Sequence, residues 1–267
     1  DGERTKKKAS GHDLAHRLAR DLEWTAARVA EHFQIEELDY RAKMRMWLWP
    51  TLATHQKAQE HFQGTLTTGD FKMLGRDPVY SVWLDPPNFD TVPKVRMNFV
   101  HNAGHMLLSN AFRPVWVGDI GGGWLDEGIG HWYEYARFGR TQNYCTEEAT
   151  LPDLWENGQW RAPVRRKLER AKERLLPALL PQRTGQMPAP DHALVWSFYD
   201  YLLAAHPGKV RGLMEDLKQK KEARAALSER LGLDLFALED AWRAWVAETY
   251  PVKGDEPRSP EKKDKKK

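Results

Sequence analysis

The chain has 267 residues, 41% of them hydrophobic and 30% charged, with 12 Trp, 9 Phe and 8 Tyr. So many large aromatic side chains can bury a sizeable core and exclude wholesale disorder, while no run approaches the ~18 apolar residues of a membrane span. The formal charge of +3 sits at the ends: residues 251–267 are net +3 and residues 1–10 net +2, so residues 11–250 are net −2 and have no overall attraction for nucleic acid.

Both ends are polar, Lys-rich and without pattern, and read as disordered tails. Between them, Leu14, Leu18, Leu22, Ala26, Val29 and Phe33 recur at helical spacing and predict a first amphipathic helix. Residues 44–49 (MRMWLW) alternate long and aromatic side chains up to Pro50 and predict a strand. A helix-compatible stretch runs to about Phe62 and breaks at Gly64 and Gly69; residues 79–84 (VYSVWL) then predict a second strand. Residues 93–112 contain no internal proline and predict a helix with Val95, Phe99, Met106 and Leu107 in the core. Gly121, Gly122 and Gly123 form a flexible break. They lack the Lys and Ser/Thr of a phosphate loop, and a second helix follows over residues 124–138, ending at Gly139. A highly charged helix is expected over 163–180, and several more over 192–250 with interruptions near Pro207 and Gly232. The expected class is α+β and helix-dominated, one domain over 11–250. It comprises an N-terminal α/β lobe with a small sheet to about 140 and a C-terminal helical lobe over about 150–250.

Cys145 is the only cysteine, which excludes an intrachain disulfide and a Cys-based zinc cluster; no His neighbours it in sequence to make it a nucleophile. The chain opens at Asp1 with no apolar targeting segment, as expected after removal of a leader or trimming.

The chemistry concentrates in two segments. His101 and His105 stand four residues apart on a predicted helix, which puts both rings on one face, close enough to grip one metal ion. Downstream, residues 124–128 (WLDEG) open the second helix and offer carboxylates for a third ligand. Two His, one carboxylate and an open fourth position make the ligand set of a catalytic zinc site.

With these motifs the sequence resembles the gluzincin metallopeptidases, and more narrowly the peptidase MA-like families. In these, HExxH on one helix is followed by a ligand Glu in a W-L-x-E-G motif on the next. The match runs through WLDEG into GIGHWYEY, with 21 residues between His105 and Glu127, and extends more loosely over about residues 40–250 to the helical segments WSFYDYL, HPGKV and LEDAW. The resemblance implies a zincin-like fold, one Zn2+ per chain held by His101, His105 and Glu127, a peptide or protein segment in the cleft, and an exported (periplasmic or secreted) setting. His192 falls where relatives carry a Tyr that stabilises the oxyanion; it reads either as a donor of that kind or as a surface His.

One departure outweighs the matches. The family's general-base Glu is replaced by Asn102, whose amide has no lone pair basic enough to take a proton near neutral pH. The expected function is therefore a metal-binding, catalytically impaired metallopeptidase. The alternatives are an active zinc peptidase, with Asn102 introduced or the base supplied elsewhere, and a metal-free interaction scaffold. Asp126 adjoins Glu127 and is expected to point away from it, and Glu134 lies further along the same helix. His131, four residues after Glu127, is placed to line the cleft or to pack between helices. Tyr199 and Tyr201 read as core, Trp155 and Trp160 as candidates for touching a partner, and the Lys-rich stretch 215–224 as a solvated helix face.

Overall fold

The computed structural model describes residues 10–64, 66, 69–84, 89–145 and 154–253. The Lys-rich ends fall outside these apart from Ser10 and residues 251–253; the Ser10 Oγ accepts from the Asp13 amide and caps α1 (Gly11–Phe33). Leu18, Asp21, Thr25, Val29 and Phe33 form the buried stripe of α1, and Gln34 ends it in the left-handed conformation.

Strand β1 (Arg45–Trp49) follows as expected, then α2 (Leu52–Gln63), capped by Thr51 and stopped by Gly64. β2 (Phe71–Met73), which the sequence did not announce, and β3 (Val79–Trp83) complete a sheet of order β1-β3-β2. β1 and β3 are parallel, with α2 in the connection between them, and β2 pairs antiparallel with β3. Leu18, Tyr80, Val82, Val95, Phe99 and Met106 form a small core joining the sheet to the helices.

α3 (Val92–Asn110) is buried without interruption from Met97 to Asn110, too long a run for one amphipathic face. It is a central helix, packed by α1 on one side and α4 (Gly123–Phe138) on another, and α4 in turn packs on α7 (Ala189–Ala205). Gly130 makes the α3–α4 approach possible: a Cβ there would sit 2.7 Å from His105 Nε2 and 3.0 Å from His101 Cε1. Asp21 of α1, fully buried, receives Arg96 of α3 through Nε (2.7 Å) and Arg137 of α4 through Nε (2.9 Å), tying the three helices together.

The expected charged helix over 163–180 is two helices, α5 (Arg161–Arg170) and α6 (Leu176–Leu179). Pro177 has no N–H to continue a helix from α5, and α10 (Leu235–Thr249) captures the groups the break exposes. Glu239 accepts from the amides of Leu175 (2.9 Å) and Leu176 (3.0 Å), while Arg243 Nη1 donates to the carbonyls of Leu168 (2.7 Å) and Ala171 (3.0 Å). The remaining helices are α8 (Val210–Lys218) and α9 (Ala223–Leu231), with breaks at Pro207 and Gly232 as expected and a further one at Lys220, whose φ is 63°.

Two surface readings are corrected. Lys218 is buried rather than part of a solvated face. Its Nζ donates to the carbonyls of Leu108, Ser109, Ala111 and Arg113 at 2.6–3.1 Å around the C-terminal end of α3, and burial takes its pKa down to about 7. Trp160 is fully buried, its indole donating to the Trp155 carbonyl (3.1 Å) and its ring edge-on to His131 and Trp196, so it is not available to a partner; Trp155 packs half-buried beside it. Tyr199 and Tyr201 are core residues as expected. The class is thus α+β, dominated by helices, with one small sheet.

Candidate metal centre

The site lies where α3 and α4 cross. His101 and His105 are one turn apart on α3, and their Nε2 atoms lie 3.0 Å from each other. Each ring has a buried carboxylate behind it. His105 Nδ1 donates to Asp126 Oδ1 (2.8 Å), and Asp126 Oδ2 accepts from the Thr184 hydroxyl (2.9 Å). His101 Nδ1 lies 3.2 Å from Glu134 Oε2, while Glu134 Oε1 accepts from the Gln142 amide and from Asn143 Nδ2, both at 2.7 Å. The Asp126 hydrogen bond keeps the proton on His105 Nδ1 and turns that ring's Nε2 lone pair forward, whereas His101 Nδ1 and Glu134 Oε2 are close without being aligned as a hydrogen bond, and burial holds the Glu134 carboxyl well above its usual value. Two forward lone pairs 3.0 Å apart repel unless a cation lies between them, either a proton or a metal ion.

Glu127 projects from α4 into the same space. Its side chain is fully buried, and neither carboxylate oxygen has a hydrogen-bond partner among the described residues. Oε2 has close but poorly aligned neighbours in His192 Nδ1 (3.0 Å) and His131 Nε2 (3.3 Å). The buried Nε2 of His192 is held by the Met187 carbonyl (3.1 Å), which fixes that ring and leaves its Nδ1 facing Glu127 and His131. His192 is therefore buried against the carboxylate rather than at the surface.

The electrostatics follow from this packing. Burial, then the adjoining His105 and His131 rings, hold His101 well below the usual imidazole range, so it is the neutral ring that a metal ligand must be. Burial also takes His131 down to about 4. Burial opposes the Glu127 charge, but His192 and His131 prevail and hold that carboxyl well below its usual value. His105 moves the other way: burial disfavours its charge, and Asp126 more than offsets this.

Three groupings place their ligand atoms within 4.8 Å of one another: His101, His105, Glu127 and Cys145; His101, His131 and Glu134; and Glu127, His131 and His192. Zinc–ligand bonds of about 2.0–2.3 Å imply donor separations of roughly 3.3–3.8 Å in a tetrahedral site. The first grouping has Cys145 Sγ at 3.4 Å from His105 Nε2 and 3.6 Å from His101 Nε2, close to that range. All three residues singled out from the sequence as ligands are in it.

Asn102 is buried beside the pair. Its Nδ2 donates to Tyr80 Oη (3.1 Å) and to the Asn98 carbonyl (3.0 Å), and Tyr80 in turn donates to Asn98 Oδ1 (2.6 Å). The Asn102 Oδ1 has no partner among the described residues.

Asp126 does point away from Glu127, but towards His105, a role that adjacency in sequence concealed. Glu127, His131 and Glu134 recur at the 4- and 3-residue intervals of one helix face, a signal that was present in EGIGHWYEY. Cys145 carried no such signal. It reaches the histidines through the non-helical stretch after Gly139, whose path is set in part by Thr141 pairing with the Gly158 carbonyl (3.0 Å).

Because Asp126 orients His105, Asp126→Asn is expected to weaken zinc binding by about 10–100-fold while the fold persists. A chelator-competition titration, read beside circular dichroism of the same samples, measures this; unchanged affinity would remove Asp126 from the centre. No protein-family model and no curated protein matches the chain.

Proposed function

We propose that this chain is a gluzincin-like metal-binding protein in which His101, His105 and Glu127 hold one zinc ion, and that it is impaired as a peptidase. The observation that carries the reading is the convergence of two imidazole Nε2 atoms, one ring hydrogen-bonded to Asp126 and the other lying beside Glu134, with a fully buried Glu127 whose oxygens have no hydrogen-bond partner among the described residues. When bound, zinc supplies a Lewis acid able to polarise a peptide carbonyl. The residues around it supply ligands and orientation, and position 102 supplies no proton carrier. Asn102 uses its N–H donors on Tyr80 and Asn98 and has only a weakly basic oxygen left.

The active-peptidase alternative needs another base: Asp126 is hydrogen-bonded through both oxygens, whereas Glu134 keeps Oε2 without a hydrogen-bond partner among the described residues. Asp126 is engaged by His105 and Thr184, and Glu134 through Oε1 by Gln142 and Asn143 with His101 beside it. The same reading gives the cleft a peptide or protein segment to bind without efficient cutting, and an exported setting. Among the described residues no helix is long and apolar enough to cross a membrane.

Elemental analysis of protein purified without added zinc, beside a His101→Ala control, tests the reading. About one zinc per chain, absent from the control, is expected. No metal even after soaking with zinc would overturn it and leave the metal-free scaffold.

A further inference from the structure

We propose that Cys145 is a fourth protein ligand of this centre, so that the metal is enclosed by two imidazoles, a carboxylate and a thiolate with no position left for a reacting water. The proposal rests on the metal-binding reading above and goes beyond its three ligands. Cys145 Sγ stands 3.4 Å from His105 Nε2 and 3.6 Å from His101 Nε2, and within 4.8 Å of the Glu127 carboxylate. The independent observation beside the thiol is Glu127 itself: a fully buried carboxylate aimed into the same space, with both oxygens lacking a hydrogen-bond partner among the described residues.

Four donors from four side chains match the number a tetrahedral zinc takes in a closed site; a catalytic site keeps one position open. Lys72 Nζ donates to Sγ at 3.2 Å while lying over the Trp116 ring, 5.6 Å from its centroid. The thiolate is the form that binds metal. On binding, the S–H bond breaks, the sulfur keeps the electron pair and donates it to the metal, and the proton leaves to solvent. No oxidant or reductant takes part. A donor set of two nitrogens, one oxygen and one sulfur selects zinc or cobalt over magnesium or calcium, which take all-oxygen sites. Enclosure would silence the centre independently of Asn102: one removes the proton carrier, the other the place where water would bind.

Cobalt(II) reports both the site and the sulfur. Metal-free full-length protein is titrated with cobalt chloride and read by absorbance and by bound cobalt per chain. We expect one cobalt per chain with a thiolate-to-cobalt charge-transfer band in the near ultraviolet. In Cys145→Ser at saturating cobalt, the visible bands of tetrahedral cobalt should persist, the charge-transfer band should vanish, and affinity should fall by about 100-fold or more. One cobalt per chain without that band, or a Cys145→Ser spectrum that keeps it, would overturn the thiolate ligand and leave the three-residue site standing. No bound cobalt in the parent protein would overturn both. Circular dichroism confirms that the Cys145→Ser protein is folded, and Cys145→Ala gives the same reading if serine oxygen substitutes for sulfur.

Discussion

Zinc is expected to raise the thermal midpoint of this protein by roughly 10 °C over the metal-free form, and a chelator to reverse the gain. A ligand that binds only the folded state stabilises by about 4 kcal/mol when present at 1,000 times its dissociation constant. For a domain of this size each kcal/mol shifts the midpoint by roughly 2–4 °C. The physical source is specific. Without a cation, folding buries Glu127 with no hydrogen-bond partner for its oxygens and brings two imidazole Nε2 atoms to 3.0 Å. Both are costs that metal removes. Differential scanning calorimetry with zinc, with a chelator and with neither measures the shift. His101→Ala should lose the response, whereas a surface substitution such as Lys209→Ala should retain it. A midpoint indifferent to zinc in the parent protein would show that a shared proton, not a metal, satisfies the two rings.

The second large effect concerns catalysis, and it takes two changes. Asn102→Glu alone is expected to leave hydrolysis of a quenched fluorescent casein at background, because Cys145 still holds the position that water would need. Asn102→Glu with Cys145→Ala should restore the proton carrier and an open position together. Its rate should exceed that of either single variant by at least about 100-fold, the low end of what a general base contributes. The substitution has a cost: Asn102 donates to Tyr80 and to the Asn98 carbonyl, and a glutamate removes both donors inside the core. Each variant is therefore compared at equal folded fraction and equal bound zinc. Activity in Asn102→Glu alone would mean that water already reaches the metal. Inactivity of the folded, zinc-loaded double variant would mean that the cleft has lost more than one base.

Much of the fold was legible because its signals are local. Leu18, Val29 and Phe33 lie on one stripe of α1, Pro50 and Gly64 punctuate the first sheet segment, and Gly139 and Gly232 stop helices by taking up positive φ. What escaped was decided by distant partners. The break between α5 and α6 depends on Glu239 and Arg243 some 60–75 residues away. β2 is three residues long and exists by pairing with β3. Lys218 and Trp160 have the chemistry of surface or interface groups. They are buried because the end of α3 and the turn after it offer four carbonyls to the one, and Trp196 and His131 pack around the other.

The candidate centre divides along the same line. Helical spacing alone determined that His101 and His105 share a face, that Glu127, His131 and Glu134 share another, and that an amide stands at position 102 where a base would be needed. Only the tertiary structure decided that these two faces meet across Gly130. It also turned Asp126 to His105 and Glu134 to His101, buried His192 against Glu127, and carried Cys145 to both imidazoles. Periodicity fixes direction within one helix. The approach of residues about 20–65 positions apart depends on how whole helices pack, and that is written in no single segment.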